Sequence, residues 1–173
     1  MPAPIRVLTA EEAAARSDEL ADVLLDCVAG GASVGFMASL PREQALAFWR
    51  RVAEGVGRGE RVLLVAEDEE GRAVGTVQLV VAMPDNQPHR ADVAKMLVHR
   101  RARRQGIAQR LLVAIDAQAR AAGKTVLVLD TVTGGDAERL YARCGWEAVG
   151  SIPNYALMPD GAFCATTVFH KQL

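Results

Sequence analysis

The six residues Arg103-Arg104-Gln105-Gly106-Ile107-Ala108 carry the clearest chemistry in the chain. They follow the apolar run Met96-Leu97-Val98 and open an amphipathic stretch from Gln109 to Ala122. Small residues at a turn from strand into helix leave several backbone N–H groups aimed at one point. The helix dipole adds positive potential there, so the place suits a pyrophosphate. Gly106 and Ala108 let a ligand approach the backbone, and Arg103 and Arg104 can add charge-assisted contacts. No Gly-Lys-Ser/Thr follows, which excludes the P-loop, and three suitably spaced glycines are missing, which excludes the dinucleotide fingerprint. A solvated basic turn before an ordinary helix is the plainer alternative.

Three further side chains could move protons. Asp130 ends the apolar run Val126-Leu127-Val128-Leu129. A carboxylate at the mouth of a buried strand would be partly desolvated, and its pKa would rise toward values useful for a base. A capping or turn aspartate is an equal reading. Asp92 begins the strand that leads to the basic turn, where a solvated strand-end charge is the ordinary expectation. Tyr141 shares a helical face with Ala137, Leu140 and Cys144, which suits either a ring packed in the core or a phenol aimed at a reacting atom. Phe36 stands in a glycine-broken loop, Gly30 to Gly35 and beyond, that could border an acceptor pocket or serve only as a helix exit.

The elements that must hold these residues are legible in outline. Ile5 to Leu8 reads as a strand, and Thr9-Ala10-Glu11-Glu12 as a capping box opening a helix to about Val28. Pro41 opens a second helix that ends near Gly55, Gly57 and Gly59. Strands follow at Arg61 to Glu67, Ala73 to Ala82 and Arg90 to Val98. The helix after the basic turn buries Leu111, Leu112, Ile115 and Ala119, with Asp116 and Arg120 outside that face. Thr125 to Leu129 reads as a strand buried on both faces. A short helix over Ala137 to Cys144 and strands near Trp146 to Ser151 and Phe163 to Lys171 complete the chain, with Pro159-Asp160-Gly161 as the turn. The order is β-α-α-β-β-β-α-β-α-β-β, an α/β (α+β) fold in one domain over residues 1–173.

The spacing Arg-x-x-Gly-x-Ala resembles the acyl-CoA motif of the GNAT superfamily of N-acetyltransferases, and the element order matches that superfamily along the whole chain. Tyr141-Ala142-Arg143-Cys144-Gly145-Trp146 resembles its Tyr-x-x-x-Gly-Phe helix end, with Trp146 for Phe. Gly31 to Met37, Arg90-Ala91-Asp92-Val93, Leu129-Asp130-Thr131 and Pro159-Asp160-Gly161 together resemble the tabtoxin-resistance type. The resemblance implies a mixed, mostly antiparallel sheet of about seven strands with helices on both faces. It implies acetyl-CoA as cosubstrate, with a bulged strand presenting Met96, Leu97 and Val98 to pantetheine. The nucleotide end would lie on Arg103, Arg104, Gln105, Gly106, Ile107, Ala108 and Gln109. It implies Asp92, Asp130 and Tyr141 as the acid–base set, with Phe36, Asp92 and Asp130 touching the acceptor. Asp92 stands where that type carries glutamate, one methylene longer.

Composition narrows the alternatives. A chain of 173 residues, half of them hydrophobic, suits a packed domain. A net charge of −1 with 5% aromatic residues gives no case for nucleic acid or an anionic membrane. Cys27, Cys144 and Cys164 are odd in number and far apart, so reduced thiols are expected. His89, His99 and His170 form no metal spacing, and no metal is expected. No secretory signal or membrane-spanning run stands out, so a cytoplasmic location is expected. The expected activity is transfer of an acetyl group to the amine of a small molecule by direct attack, with toxin or antibiotic resistance among the roles. No cysteine stands beside a histidine as nucleophile. The rival reading is a non-catalytic acyl-CoA sensor; a monomer or homodimer fits either.

Overall fold

The computed structural model describes residues 3–173. Its spine is a seven-stranded sheet in the order β1-β2-β3-β4-β5-β7-β6. The strands are β1 (Ile5–Leu8), β2 (Arg61–Glu67), β3 (Ala73–Val80), β4 (Arg90–Val98), β5 (Val126–Val132), β6 (Glu147–Leu157) and β7 (Phe163–Gln172). Neighbours are antiparallel except β4 and β5, which run parallel. Helices α1 (Ala10–Ala15), α2 (Ser17–Ala29) and α3 (Arg42–Gly57) cover one face; α4 (Ile107–Ala121) and α5 (Asp136–Arg143) lie on the other. The fold is the mixed, mostly antiparallel sheet expected.

Each face has its own apolar core. Leu63 and Val65 pack with Trp49, Leu20 and Leu24 of the first helices, while Leu64, Leu79 and Leu127 pack with Leu111, Leu112 and Ile115 of α4. The capping box is present: Glu12 N donates to Thr9 Oγ1 at 3.1 Å and Thr9 N donates to Glu12 Oε2 at 2.9 Å.

Four expectations change. The first long helix is two, broken at Arg16, whose guanidinium turns inward to Glu67 at 2.5 Å and Glu19 at 2.9 Å. Tertiary ion pairing thus overrides a continuous helical pattern. Asp116 is not outside the α4 core face but buried, 2.6 Å from Lys171 Nζ. β5 alternates, with Leu127 and Leu129 buried and Val126 and Val128 half-buried, so it is covered fully on one face only. It also continues to Val132, which puts Asp130 inside the strand rather than at its end.

Candidate active site

The strands β4 and β5 pair only where Arg90, Ala91 and Asp92 face Val126, Leu127 and Val128. Beyond that point β4 continues to Val98 and β5 to Val132 without meeting. A cleft therefore opens in the middle of the sheet, with unpaired strand edges on both walls. An unpaired edge is a template for any extended amide-bearing ligand.

Beyond its last pair with β5, β4 also changes the face it presents to each core. Ala91 and Val93 point into the α4-side core, whereas Leu97, an even number of residues later, packs into the α1–α3 core. The face flips at a register break opposite Thr76 to Gln78, where Lys95 adopts φ +52°. A left-handed lysine stores roughly 1 kcal/mol or more of strain. The buried hydroxyl of Thr76 holds it by donating to Lys95 O at 3.0 Å. Met96, Leu97 and Val98 follow this bulge along the cleft wall. Leu97 is buried, while Met96 and Val98 are half-buried. The carbonyl of Val98 is engaged, accepting from Arg103 Nε at 3.1 Å and from Cys27 Sγ at 3.4 Å.

At the end of β4 the chain makes one turn of 3-10 helix, Arg100–Ala102, and then the basic turn. Arg104 has φ +61° and Gly106, at the N-cap of α4, φ +72°. Alternating handedness curls successive N–H groups inward. The backbone N–H groups of Arg104, Gln105, Gly106, Ile107, Ala108 and Gln109 donate to no other group of the described residues. Only Ile107 of these residues is buried. Six free donors at the positive end of a 15-residue helix form an anion cradle. Arg104, Gln105 and Gln109 are exposed at its rim, as is Arg103, whose Nε is already spent on Val98. Asp26 of α2 anchors the turn: Oδ2 accepts Arg100 N at 2.8 Å and Oδ1 accepts Arg100 Nε at 3.0 Å. Burial pushes the Asp26 carboxyl up, but these two hydrogen bonds and the nearby His99 bring it below its ordinary value.

The opposite wall carries Asp130 and Tyr141. Asp130 is exposed, so the desolvation expected from its apolar run is absent. Its Oδ2 accepts from Thr166 Oγ1 of β7 at 2.8 Å, which fixes the carboxylate. Tyr141, on α5, is 5% exposed and packs against Trp146 and Phe169 at 5.9 Å each. Its hydroxyl has no hydrogen-bond partner among the described residues. Burial pushes the phenol well above its ordinary value, and the negative charge of Asp130 adds to this. Asp92 shares a row of the sheet with Val128, two residues before Asp130, and is ion-paired with Arg90 Nη1. The structure thus brings Asp130 and Tyr141 into electrostatic contact, and leaves Asp92 at the closed end of the cleft.

The loop from Gly30 to Pro41 crosses the α1–α3 side of the cleft. Ser33 Oγ donates to Leu157 O at 2.9 Å and Ala38 N to Pro159 O at 3.0 Å, so the loop docks on the β6–β7 turn. Phe36 stacks edge-to-face on Phe48 of α3 at 5.4 Å. Lys95 Nζ lies 5.8 Å from the Phe48 ring centre. Neither Phe48, Thr166 nor Lys95 was expected from sequence. The available signal was Lys95 itself, a charge where strand alternation calls for a core residue.

The site is a cleft between splayed parallel strands, flanked by a helix N-terminus whose first amides are free. The family model of the GNAT acetyltransferase domain matches residues 59–148, just over half of the chain, and the chain belongs to that family. An uncharacterised N-acetyltransferase of Azospirillum brasilense is 36% identical over 114 residues. That match takes in 65% of this chain and spans 66% of the relative's length. Among solved structures, a phosphinothricin acetyltransferase from Sinorhizobium meliloti in complex with acetyl-CoA superposes with a TM-score of 0.81 at 18% identity, covering 100% of this chain and 89% of that one. A ribosomal-protein-alanine N-acetyltransferase from Brucella melitensis gives 0.77 at 24% identity, covering 98% and 99%. These two likenesses, to proteins named for different acceptors, show the fold. No helix among the described residues is long and apolar enough to cross a membrane, and no group of three or more metal-ligating side chains occurs there.

Proposed function

We propose that the chain is a single-domain, acetyl-CoA-dependent N-acetyltransferase acting on the amine of a small molecule. The observation that carries this is the continuity of the cradle and the cleft: six free N–H groups at α4 lead directly onto the unpaired edge of β4. A pyrophosphate on Arg104 to Gln109 would lay the pantetheine arm along Met96, Leu97 and Val98, with the thioester in the gap between β4 and β5. The Sinorhizobium structure, solved with acetyl-CoA, supports cofactor use of this kind.

In this reading Asp130 takes the amine proton, directly or through a water, because it is exposed to the cleft and held by Thr166. Tyr141 donates a hydrogen bond to the departing thiolate from the α5 side. Asp92, neutralised by Arg90, orients the acceptor rather than deprotonating it. Phe36 shapes the acceptor side. The reaction is direct: the amine attacks the thioester carbonyl, the C–S bond breaks, and the thiolate leaves as CoA. Cys27, the one buried thiol, sits behind Val98 with its pKa raised by burial, which suits a structural role. The likeness of Gly31 to Met37 and Leu129-Asp130-Thr131 to the tabtoxin-resistance type favours an amino-acid-like acceptor and a resistance role in the cytoplasm.

The test is a panel of primary amines with acetyl-CoA, reading CoA thiol release. Acetyl transfer to at least one is expected. Tight acetyl-CoA binding with no release above the no-amine rate would favour a non-catalytic acyl-CoA sensor.

A further inference from the structure

Lys95 is a cation with no directly paired carboxylate among the described residues. Its Nζ takes part in no hydrogen bond or ion pair among the described residues. It is half-buried, and burial lowers its pKa despite the favourable charge of Asp130. The guanidinium of Arg61 adds a second positive charge nearby, which also acts against the ammonium. Arg61 has no carboxylate partner either: Nη1 donates to Gln78 Oε1 at 2.9 Å and Nε is buried with nothing to donate to. Asp130 acts on Lys95, and Glu60 on Arg61, only from beyond ion-pair distance, and two cations in one half-buried corner without a directly paired carboxylate are costly. An arriving anion would remove that cost.

The surroundings indicate where that anion would come from. Lys95 sits at the bulge in the cleft wall, held in a left-handed conformation by Thr76. Its Nζ is 3.7 Å from where a side chain at Gly35 would begin, so the acceptor-side loop closes over it. Gly35 itself has φ +92°, a conformation that favours glycine at the point of closest approach. Phe48 flanks the ammonium, with Phe36 stacked on Phe48. Asp130 faces it from β5, close enough to act on it and too far to form an ion pair. The space has a positive pole on β4, a negative pole on β5 and an aromatic wall.

We infer that Lys95 binds a carboxylate of the acceptor, so that the substrate class is an amino acid or a close analogue with its amine toward Asp130 and its carboxylate on Lys95. This rests on the acetyl-transfer reading for the chemistry, and on the charge at Lys95, without a directly paired carboxylate, for the class.

The test uses matched pairs, the common L-amino acids and their carboxamides, titrated calorimetrically into the protein with and without CoA. The carboxamide also has a less basic amine, so the quantity read is the change in the acid-to-amide affinity ratio between wild type and variant. For at least one pair, Lys95→Met is expected to lower that ratio about 10- to 100-fold, the worth of one charge-assisted hydrogen bond. Lys95→Arg is expected to retain most of it. An unchanged ratio in Lys95→Met, or no binding of any acid by the wild type, would overturn the inference. An acid preference that depends on Lys95, with no thiol release from acetyl-CoA for any acid, would instead sink acetyl transfer and leave the carboxylate site standing.

Discussion

Tyr141→Phe separates chemistry from stability in a way this site makes quantitative. Tyr141 is nearly buried and its hydroxyl bonds to none of the described residues, so deleting it removes no hydrogen bond seen in the structure. The fold should lose less than about 1 kcal/mol, a Tm change under about 4 °C for a chain of this size. Turnover should respond differently. A phenol ordinarily ionises near pH ~10 and a thiol near ~8.5, so full proton transfer from tyrosine to the thiolate is uphill by about 2 kcal/mol before burial adds more. Burial and Asp130 raise the phenol further. The favourable act is therefore a charge-assisted hydrogen bond to the leaving thiolate, worth about 1.5–3 kcal/mol. Its loss should lower kcat about 10- to 100-fold, with acetyl-CoA affinity unchanged. The assays are thiol release, calorimetry and thermal melting on the same preparations. Unaltered kcat would leave the hydroxyl without a role in the chemistry, and a Tm loss of about 10 °C would mean that the hydroxyl serves the fold. A second signature follows from linkage. The folded pKa lies above the unfolded one, so this contribution to stability is whole below pH ~10. It is lost above that at about 1.4 kcal/mol per pH unit as the unfolded phenol ionises. Alkaline unfolding curves of Tyr141→Phe should lack that component.

At Gly106, φ is +72° and a new Cβ would meet nothing within 4 Å, so Gly106→Val should cost backbone strain alone, about 1–2 kcal/mol. Its Tm rise with acetyl-CoA should shrink to that given by pantetheine; equal rises from both ligands in the wild type would refute the cradle. Asp130→Asn should lower kcat/KM by about 10²-fold or more, whereas Asp92→Asn, already paired with Arg90, should lose less. The reverse order in steady-state rates would exchange their roles. Phe36→Ala should weaken acceptor binding and spare CoA affinity, because the ring stacks on Phe48 across the cleft from the cradle; an equal fall in both affinities would place the loop wrongly.

Much of this molecule was determined locally, and so could be read from sequence. The capping box at Thr9 and Glu12, the glycine that starts α4 and the Pro159-Asp160-Gly161 turn are dictated by the conformations those residues allow. The cradle belongs with them, because free N–H groups at a helix start follow from backbone geometry alone. Strand existence followed from apolar runs, and the boundaries of β1, β2 and β4 from the turns beside them. What only the tertiary structure decided involves partners distant in sequence. Arg16 breaks the first helix because Glu67 lies 51 residues away. Asp116 is inside because Lys171, 55 residues on, reaches it. Asp130 is exposed rather than desolvated because β4 and β5 part company after Asp92 and Val128, and no property of the run Val126 to Leu129 encodes that separation. The bulge that turns Lys95 into the cleft depends on a hydroxyl from β3, 19 residues away, and on the register between two strands. Sequence supplies the residues and their local geometry; the meeting of charges across the cleft depends on strand register, which is fixed when the two cores pack on opposite faces of one sheet.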